Sequence, residues 1–121
     1  MIKSGMMHKQ REICLLPIPF SDLSSNKRRP VLIISNDSYN SQSDDVLVMA
    51  ITSNLHDKFT SVFIDQSDMQ TSVLKSESMV RVDKIYSINN DLIIKSFGNI
   101  GNNKFGKIIE NLISFLKETE S

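Results

Sequence analysis

Tryptophan is absent from the 121 residues, and there are only two tyrosines and six phenylalanines. That scarcity of flat rings argues against a binder that works by stacking bases on aromatic platforms. Cysteine is down to one, Cys14, so no internal disulfide is available and no CxxC metal signature exists. Cys14 lies in an apolar run, the setting of a buried and unreactive thiol. Neither sign of charge is in excess, since fourteen Lys and Arg offset fourteen Asp and Glu. This excludes a domain that grips polyanions through bulk positive charge, because such domains are strongly basic overall. Any nucleic-acid role must rest on a local patch. Long apolar runs are also missing: the longest are Ile13–Phe20, interrupted by two prolines, and Val46–Ile51, far short of the ~20 residues of a membrane-spanning helix. MIKSGMMHKQR has no apolar core of the signal type. The expectation is a cytoplasmic protein with no membrane partner.

What remains is an ordinary globular composition, 40% apolar and 23% charged, at a length that holds one domain. We place that domain at residues 9–118, with 1–8 as a flexible lead-in. Short apolar runs separated by turn-rich stretches fill the first two-thirds. Ile13–Leu16 reads as a strand that lies at an edge or breaks at Pro17, since proline cannot donate a ladder hydrogen bond. Val31–Ile34 and Val46–Ile51 are unbroken and rich in branched residues, the pattern of strands buried on both faces. Thr60–Asp65 alternates, with Val62 and Ile64 on one face. Ser78–Val82 and Ile85–Ile94 supply two more strands, with Asp83-Lys84 and Asn89–Asp91 as turns. Phe105, Ile108, Ile109, Leu112, Ile113 and Leu116 recur at helical spacing from about Asn102 to before Thr119. The fold class is therefore mainly β, a compact barrel or curled sheet closed by one C-terminal helix whose apolar face is committed to the core.

The most informative stretch is FSDLSSNKRRPVLIISND, residues 20–37. A polar loop leads into Lys27, Arg28 and Arg29, then into a proline that opens a buried strand. Arg29 is restricted to extended conformations by Pro30 and tethered to Val31–Ile34. It is thus either a preorganised donor fork for phosphate or, with its neighbours, a solvated rim. At the end of the next buried strand stand Thr52, Ser53 and Asn54, which either contribute hydroxyl and amide groups to a site or simply cap the strand. On this reading Thr52 meets Arg29 at one end of the sheet only if the strands pair in parallel or the chain bends.

Rival chemistries are weaker. His8 and His56 are the only histidines and acid–base cleavage near neutral pH suits the residue type, but His8 falls in the lead-in and His56 in a polar turn. Asp44 and Asp45 are adjacent, so on a strand they point to opposite faces and make a poor metal pair. No metal and no cofactor are expected. Ser76-Glu77-Ser78 reads as a turn or a hydrogen-bonding contact. Arg81 and Asp83 share a parity and suit a structural pair.

KRRPVLIISND followed by DVLVMAITSN resembles the MazF/PemK family of toxins from toxin–antitoxin modules. EICLLPIPFSDLS, SMVRVDKIYSIN and the helix after FGNIG extend the resemblance over residues 9–117. It implies an SH3-like curled barrel of the MazF/PemK/CcdB plasmid-maintenance type, a homodimer, and a sequence-selective endoribonuclease that cleaves single-stranded RNA without a metal. It also implies an antitoxin whose C-terminal segment occupies the RNA groove. The family's essential arginine before the strand-opening proline falls on Arg29, and its essential threonine on Thr52. Lys27 and Arg28 then hold flanking phosphates, and Ser25, Asn26, Ser53 and Asn54 complete the RNA-binding set. Two departures stand out. The family's usual glycine before the first strand is Arg11 here, and the loop before Arg29 lacks the acidic residue some members carry. With the helix face committed to the core, dimer contacts are expected on strand surfaces that include Met79 and Ile85. The alternative on the same fold is a non-catalytic toxin that binds a protein such as DNA gyrase, or a plain RNA- or peptide-binding module.

Overall fold

The structure is a computed structural model that describes residues 7–17, 28–56 and 60–118. In chain order its elements are β1 (Glu12–Leu16), β2 (Arg29–Ile33), α1 (Asp37–Gln42), β3 (Asp45–Thr52), β4 (Ser61–Ile64), β5 (Ser78–Asn89), β6 (Lys95–Asn99) and α2 (Asn102–Leu116), with single 3₁₀ turns at Gln66–Asp68 and Asn90–Leu92. The strands form one curled sheet in the order β4-β5-β3-β2-β1-β6, and every pairing is antiparallel.

Alternation along the strands builds two apolar layers. Ile13, Leu32, Met49 and Ile51 point to one face, where Val62, Ile64, Val80, Phe105 and Ile108 complete the main core. Cys14, Leu16, Val31, Ile33, Val46 and Val48 fill the other. β2 and β3 are buried on both faces because they lie at the centre of the sheet, which is why no polar residue interrupts Val31–Ile34 or Val46–Ile51. β1 lies inside the sheet between β2 and β6, and it breaks before Pro17, where the missing N–H would leave a gap in the ladder.

Several expectations need correction. Ser78–Asn89 is one twelve-residue strand, not two. The Asp83-Lys84 turn expected there is instead a bulge. β5 pairs with β3 as Met49↔Ile85 and then Ile51↔Val80, so three extra β5 residues are accommodated where the strand bends from β3 toward β4. The Arg81 guanidinium grips Asp83 across this bend at 2.8 and 2.6 Å and, first among several causes, holds the carboxyl below its usual range. The Asn89–Asp91 turn is found as expected, with the Asn89 side chain capping it. Second, β6 (KSFGN) was not foreseen, because a sequence with one large apolar residue carries no alternation to read; pairing with β1 defines it. Third, the polar stretch before β3, for which the sequence predicts no element, holds α1; Asn36 caps it by accepting from the Tyr39 N–H. Fourth, the apolar face of α2 is only half used. Phe105 and Ile108 are buried against β4 and β5, while Ile113, Phe115 and Leu116 are 51%, 50% and 70% exposed, because the helix outruns the sheet that covers it. Met79, expected on a surface, is buried under Phe63 and Thr52, its cross-strand partners.

Arg11 has φ +77°, a left-handed conformation that glycine adopts freely and that costs a side-chain-bearing residue about 1 kcal/mol. This is the physical reason a glycine suits the position. In compensation the guanidinium of Arg11 donates to the Gln70 side chain and the Ile100 carbonyl, each at 2.7 Å, tying the start of β1 to the end of β6. Arg11→Ala keeps the strained backbone and loses both bonds, so it should lose about 1–2 kcal/mol in urea unfolding. Arg11→Gly loses the same bonds but relieves the backbone, and should unfold about 1 kcal/mol later than the alanine variant. The opposite order would contradict this account of the turn.

Candidate functional site

Antiparallel pairing corrects the one obstacle the sequence left between Arg29 and Thr52. In an antiparallel pair the start of one strand faces the end of the other. β2 and β3 pair as Val31↔Ala50, Leu32↔Met49 and Ile33↔Val48, so Arg29 and Thr52, each two residues beyond the last pair, lie at the same end of the two strands, and neither a parallel pair nor a bend is required. On its other side Arg29 pairs with Leu16 of β1.

These strand ends open into a groove of about 390 Å³. Its lining includes Arg28, Arg29, Thr52 and Ser53, the apolar Ile13, Leu15, Pro30, Ile51 and Phe97, and a wall made by Val73–Ser76 with Ser78. That wall is held by β6. Asn99 donates its N–H to Thr71 Oγ1 at 3.1 Å, and its carbonyl accepts from the Gln70 N–H at 2.9 Å. Gly98, at φ +103°, lets the loop approach so closely that a Cβ there would lie 2.7 Å from the Thr71 carbonyl oxygen.

Arg29 is half-buried, and among the described residues its Nε, out of contact with solvent, has no hydrogen-bond partner. An unpaired buried donor costs about 1–3 kcal/mol, more on a charged group. A cation held this way between fixed backbone partners suits an anionic ligand that completes its bonding. Thr52 Oγ1 accepts from the Asn54 N–H at 3.1 Å, which orients the oxygen and leaves its hydroxyl hydrogen available to donate. Asn54 Oδ1 in turn accepts from the His56 N–H at 3.1 Å, so Thr52–His56 is a self-capped turn.

The expected site residues therefore divide. Arg28, Arg29, Thr52 and Ser53 come together on the groove. Asn54 and His56 are exposed in the adjoining turn and outside the groove lining. Ser25, Asn26 and Lys27 lie outside the described residues. Cys14 is fully buried, and its burial, followed by the charge of Glu12, pushes its thiol well above the ordinary range; it is no nucleophile. Sequence reading missed Lys75, Leu74 and Phe97 in the lining, because they belong to a loop and an edge strand without a pattern. Ser76 and Ser78 were noticed, but only as a turn or hydrogen-bonding contact.

Among the described residues no helix is long and apolar enough to cross a membrane. Residues 9–116 match the family model of the PemK-like, MazF-like toxin of type II toxin–antitoxin systems. A comparison with curated protein sequences returns no match. Among solved structures, an endoribonuclease from a mycobacterial species in complex with its cognate antitoxin superposes with TM-score 0.74 at 20% identity, over 94% of this chain and 99% of that one. The Mycobacterium tuberculosis toxin MazF-mt6 gives 0.71 at 21%, over 90% and 100%. A MazE–MazF structure from Deinococcus radiodurans gives 0.72 at 15%, over 95% and 100%. The six-stranded curled sheet, its C-terminal helix and a family match over most of its length place the chain in the PemK-like, MazF-like toxin family of type II toxin–antitoxin systems.

Proposed function

We propose that this toxin is a metal-independent endoribonuclease that cleaves single-stranded RNA at the Arg29–Thr52 groove. The observation that carries the reading is that one groove is lined both by a half-buried arginine, its Nε unpartnered among the described residues, and by an oriented threonine hydroxyl. The 2′-hydroxyl of one ribose attacks the adjacent phosphorus, a cyclic phosphate forms, and the 5′-oxygen leaves. Negative charge builds on the non-bridging oxygens in the transition state. Arg29 is placed to stabilise it, and Thr52 donates to the same phosphate or orients the attacking hydroxyl. A preorganised donor of this kind contributes about 3–4 kcal/mol. Arg28, exposed at the groove edge, holds a flanking phosphate and gives salt-dependent affinity without sequence reading. Lys27, Ser25, Asn26, Ser53 and Asn54 complete the RNA contacts in this proposal. The same reading makes the protein a cytoplasmic homodimer neutralised by an antitoxin that occupies the groove; the mycobacterial endoribonuclease in complex with its cognate antitoxin and the Deinococcus MazE–MazF structure support that partner class.

The test is incubation of purified protein with a long RNA in excess EDTA. Discrete fragments are expected, whereas intact RNA together with blocked DNA supercoiling would favour the protein-binding alternative. Thr52→Val keeps the shape and removes the hydroxyl. It should lower single-turnover cleavage by about 10–100-fold with RNA affinity nearly unchanged. An equal loss in affinity would instead make Thr52 a binding residue.

A further inference from the structure

Away from the groove, at the opposite end of β1 from Arg29, three donor atoms of different chemistry converge. His8 Nδ1 lies 2.7 Å from Glu12 Oε2, and Cys14 Sγ lies 3.3 Å from the same oxygen. The three donors all fall within 4.8 Å of one another. Glu12 and Cys14 share a face of β1 because they are two residues apart, and His8 reaches them from the chain segment before the strand. We propose that His8, Glu12 and Cys14 form a binding site for a borderline-soft divalent cation, zinc by preference, that nothing in the groove chemistry requires.

The arrangement is built. The other Glu12 oxygen accepts from the Lys9 N–H at 3.0 Å, and the Asn40 side chain holds the His8 carbonyl at 3.1 Å. Ser96 of β6 stands directly opposite Cys14 in the sheet. Partners of this kind fix first ligands in place. Zinc takes sulfur at about 2.3 Å and nitrogen or oxygen at about 2.0–2.2 Å in a tetrahedron, which sets its ligands roughly 3.3–3.7 Å apart. The 2.7 Å His8–Glu12 and 3.3 Å Cys14–Glu12 separations widen to reach that geometry, and His8 and Cys14, within 4.8 Å of each other, are drawn to the same spacing. Thiolate and carboxylate together neutralise a divalent ion, and a neutral imidazole is the third ligand, so the burial of Cys14 leaves no net charge inside the sheet. Magnesium and calcium are disfavoured by the sulfur and nitrogen donors. His8 and Glu12 side chains are 12% and 16% exposed, which provides the route of entry. On binding, the S–H bond breaks, a sulfur–metal bond forms and the proton leaves to solvent. Any proton on His8 Nδ1 moves to Nε2 or to solvent. The ion then clamps the segment before β1 to the β1–β6 pair and touches no reacting phosphate.

The experiment is cobalt titration of the untagged full chain after chelator treatment, followed by zinc competition. One cobalt per chain is expected, with a thiolate-to-cobalt charge-transfer band, tetrahedral visible bands and bleaching by zinc. Saturating zinc should raise Tm by about 5–10 °C. His8→Ala, near the surface, should weaken cobalt binding at least tenfold and abolish the Tm rise while the circular dichroism stays unchanged; Glu12→Gln should do likewise. Cys14→Ser should lose the charge-transfer band, and if it does not fold, the His8 variant carries the test. No thiolate band at millimolar cobalt, or a band of equal affinity in His8→Ala, would overturn the proposal. RNA cleavage below the metal-free Tm should be unchanged by zinc removal, which separates this site from the groove.

Discussion

Arg29→Ala is expected to reduce single-turnover RNA cleavage at saturating RNA by 10²–10³-fold or more, the usual effect of removing one preorganised donor from a transition state, with only a modest fall in affinity. A contact that strengthens as charge develops contributes little to ground-state binding. Arg28→Ala should do the reverse. Its exposed side chain holds a flanking phosphate, so affinity should fall and the slope of log affinity against log salt should flatten by about 0.7, while cleavage at saturation stays near the wild-type rate. The two residues are adjacent and chemically identical, so the contrast isolates position. Pro30 restrains only Arg29, and only Arg29 pairs with Leu16. Both variants must first show the wild-type circular dichroism. Equal effects of the two substitutions would show that the groove binds through a diffuse cationic rim.

The largest effect on stability is expected at Leu32. It is fully buried in the central strand, opposite Ile13 on one side and Met49 on the other. Leu32→Ala removes three carbons from a position that cannot collapse without moving β1 or β3. A loss of about 3–4 kcal/mol follows, a large share of the 5–15 kcal/mol typical of a domain, with a fall in Tm of roughly 15 °C. Because β2 also carries Arg29, activity at elevated temperature should vanish with the fold, while the residual rate per folded molecule at low temperature should stay close to wild type. A stability loss below about 1 kcal/mol would mean that the central strand is less tightly packed than the structure shows.

The buried strands, β4 and the C-terminal helix were legible because burial imposes a period that the sequence must obey. Val31–Ile34 and Val46–Ile51 are apolar without interruption because both sheet faces are covered, and Phe105, Ile108 and Ile109 keep to one side of α2. Elements defined by pairing or capping instead of burial were not. β6 exists because β1 has a free edge to pair, α1 because Asn36 satisfies its first turn, and the β5 bulge because Arg81 and Asp83 stabilise a bend that reads as a turn. The exposed end of α2 shows the converse error: apolar spacing announces a helix face but not how far the sheet beneath it extends. Arg29 and Thr52 were found from local context and family resemblance. Their juxtaposition was not, since it follows from strand direction, which no single strand encodes. Lys75 and Phe97 enter the groove lining only through the close approach of Thr71 and Ser72 to Gly98, a contact between segments some 26 residues apart in the chain.

The central claim is that the Arg29–Thr52 groove cleaves RNA by internal 2′-hydroxyl attack, and the chemistry of the product ends tests it most directly. Mass spectrometry of fragments made by the wild-type protein in EDTA should find 5′-hydroxyl ends paired with 2′,3′-cyclic phosphates or their hydrolysed 3′-phosphates, and with Arg29→Ala both should form at least about 10²-fold more slowly. Fragments with 5′-phosphate and 3′-hydroxyl ends, the signature of attack by water, would contradict the account.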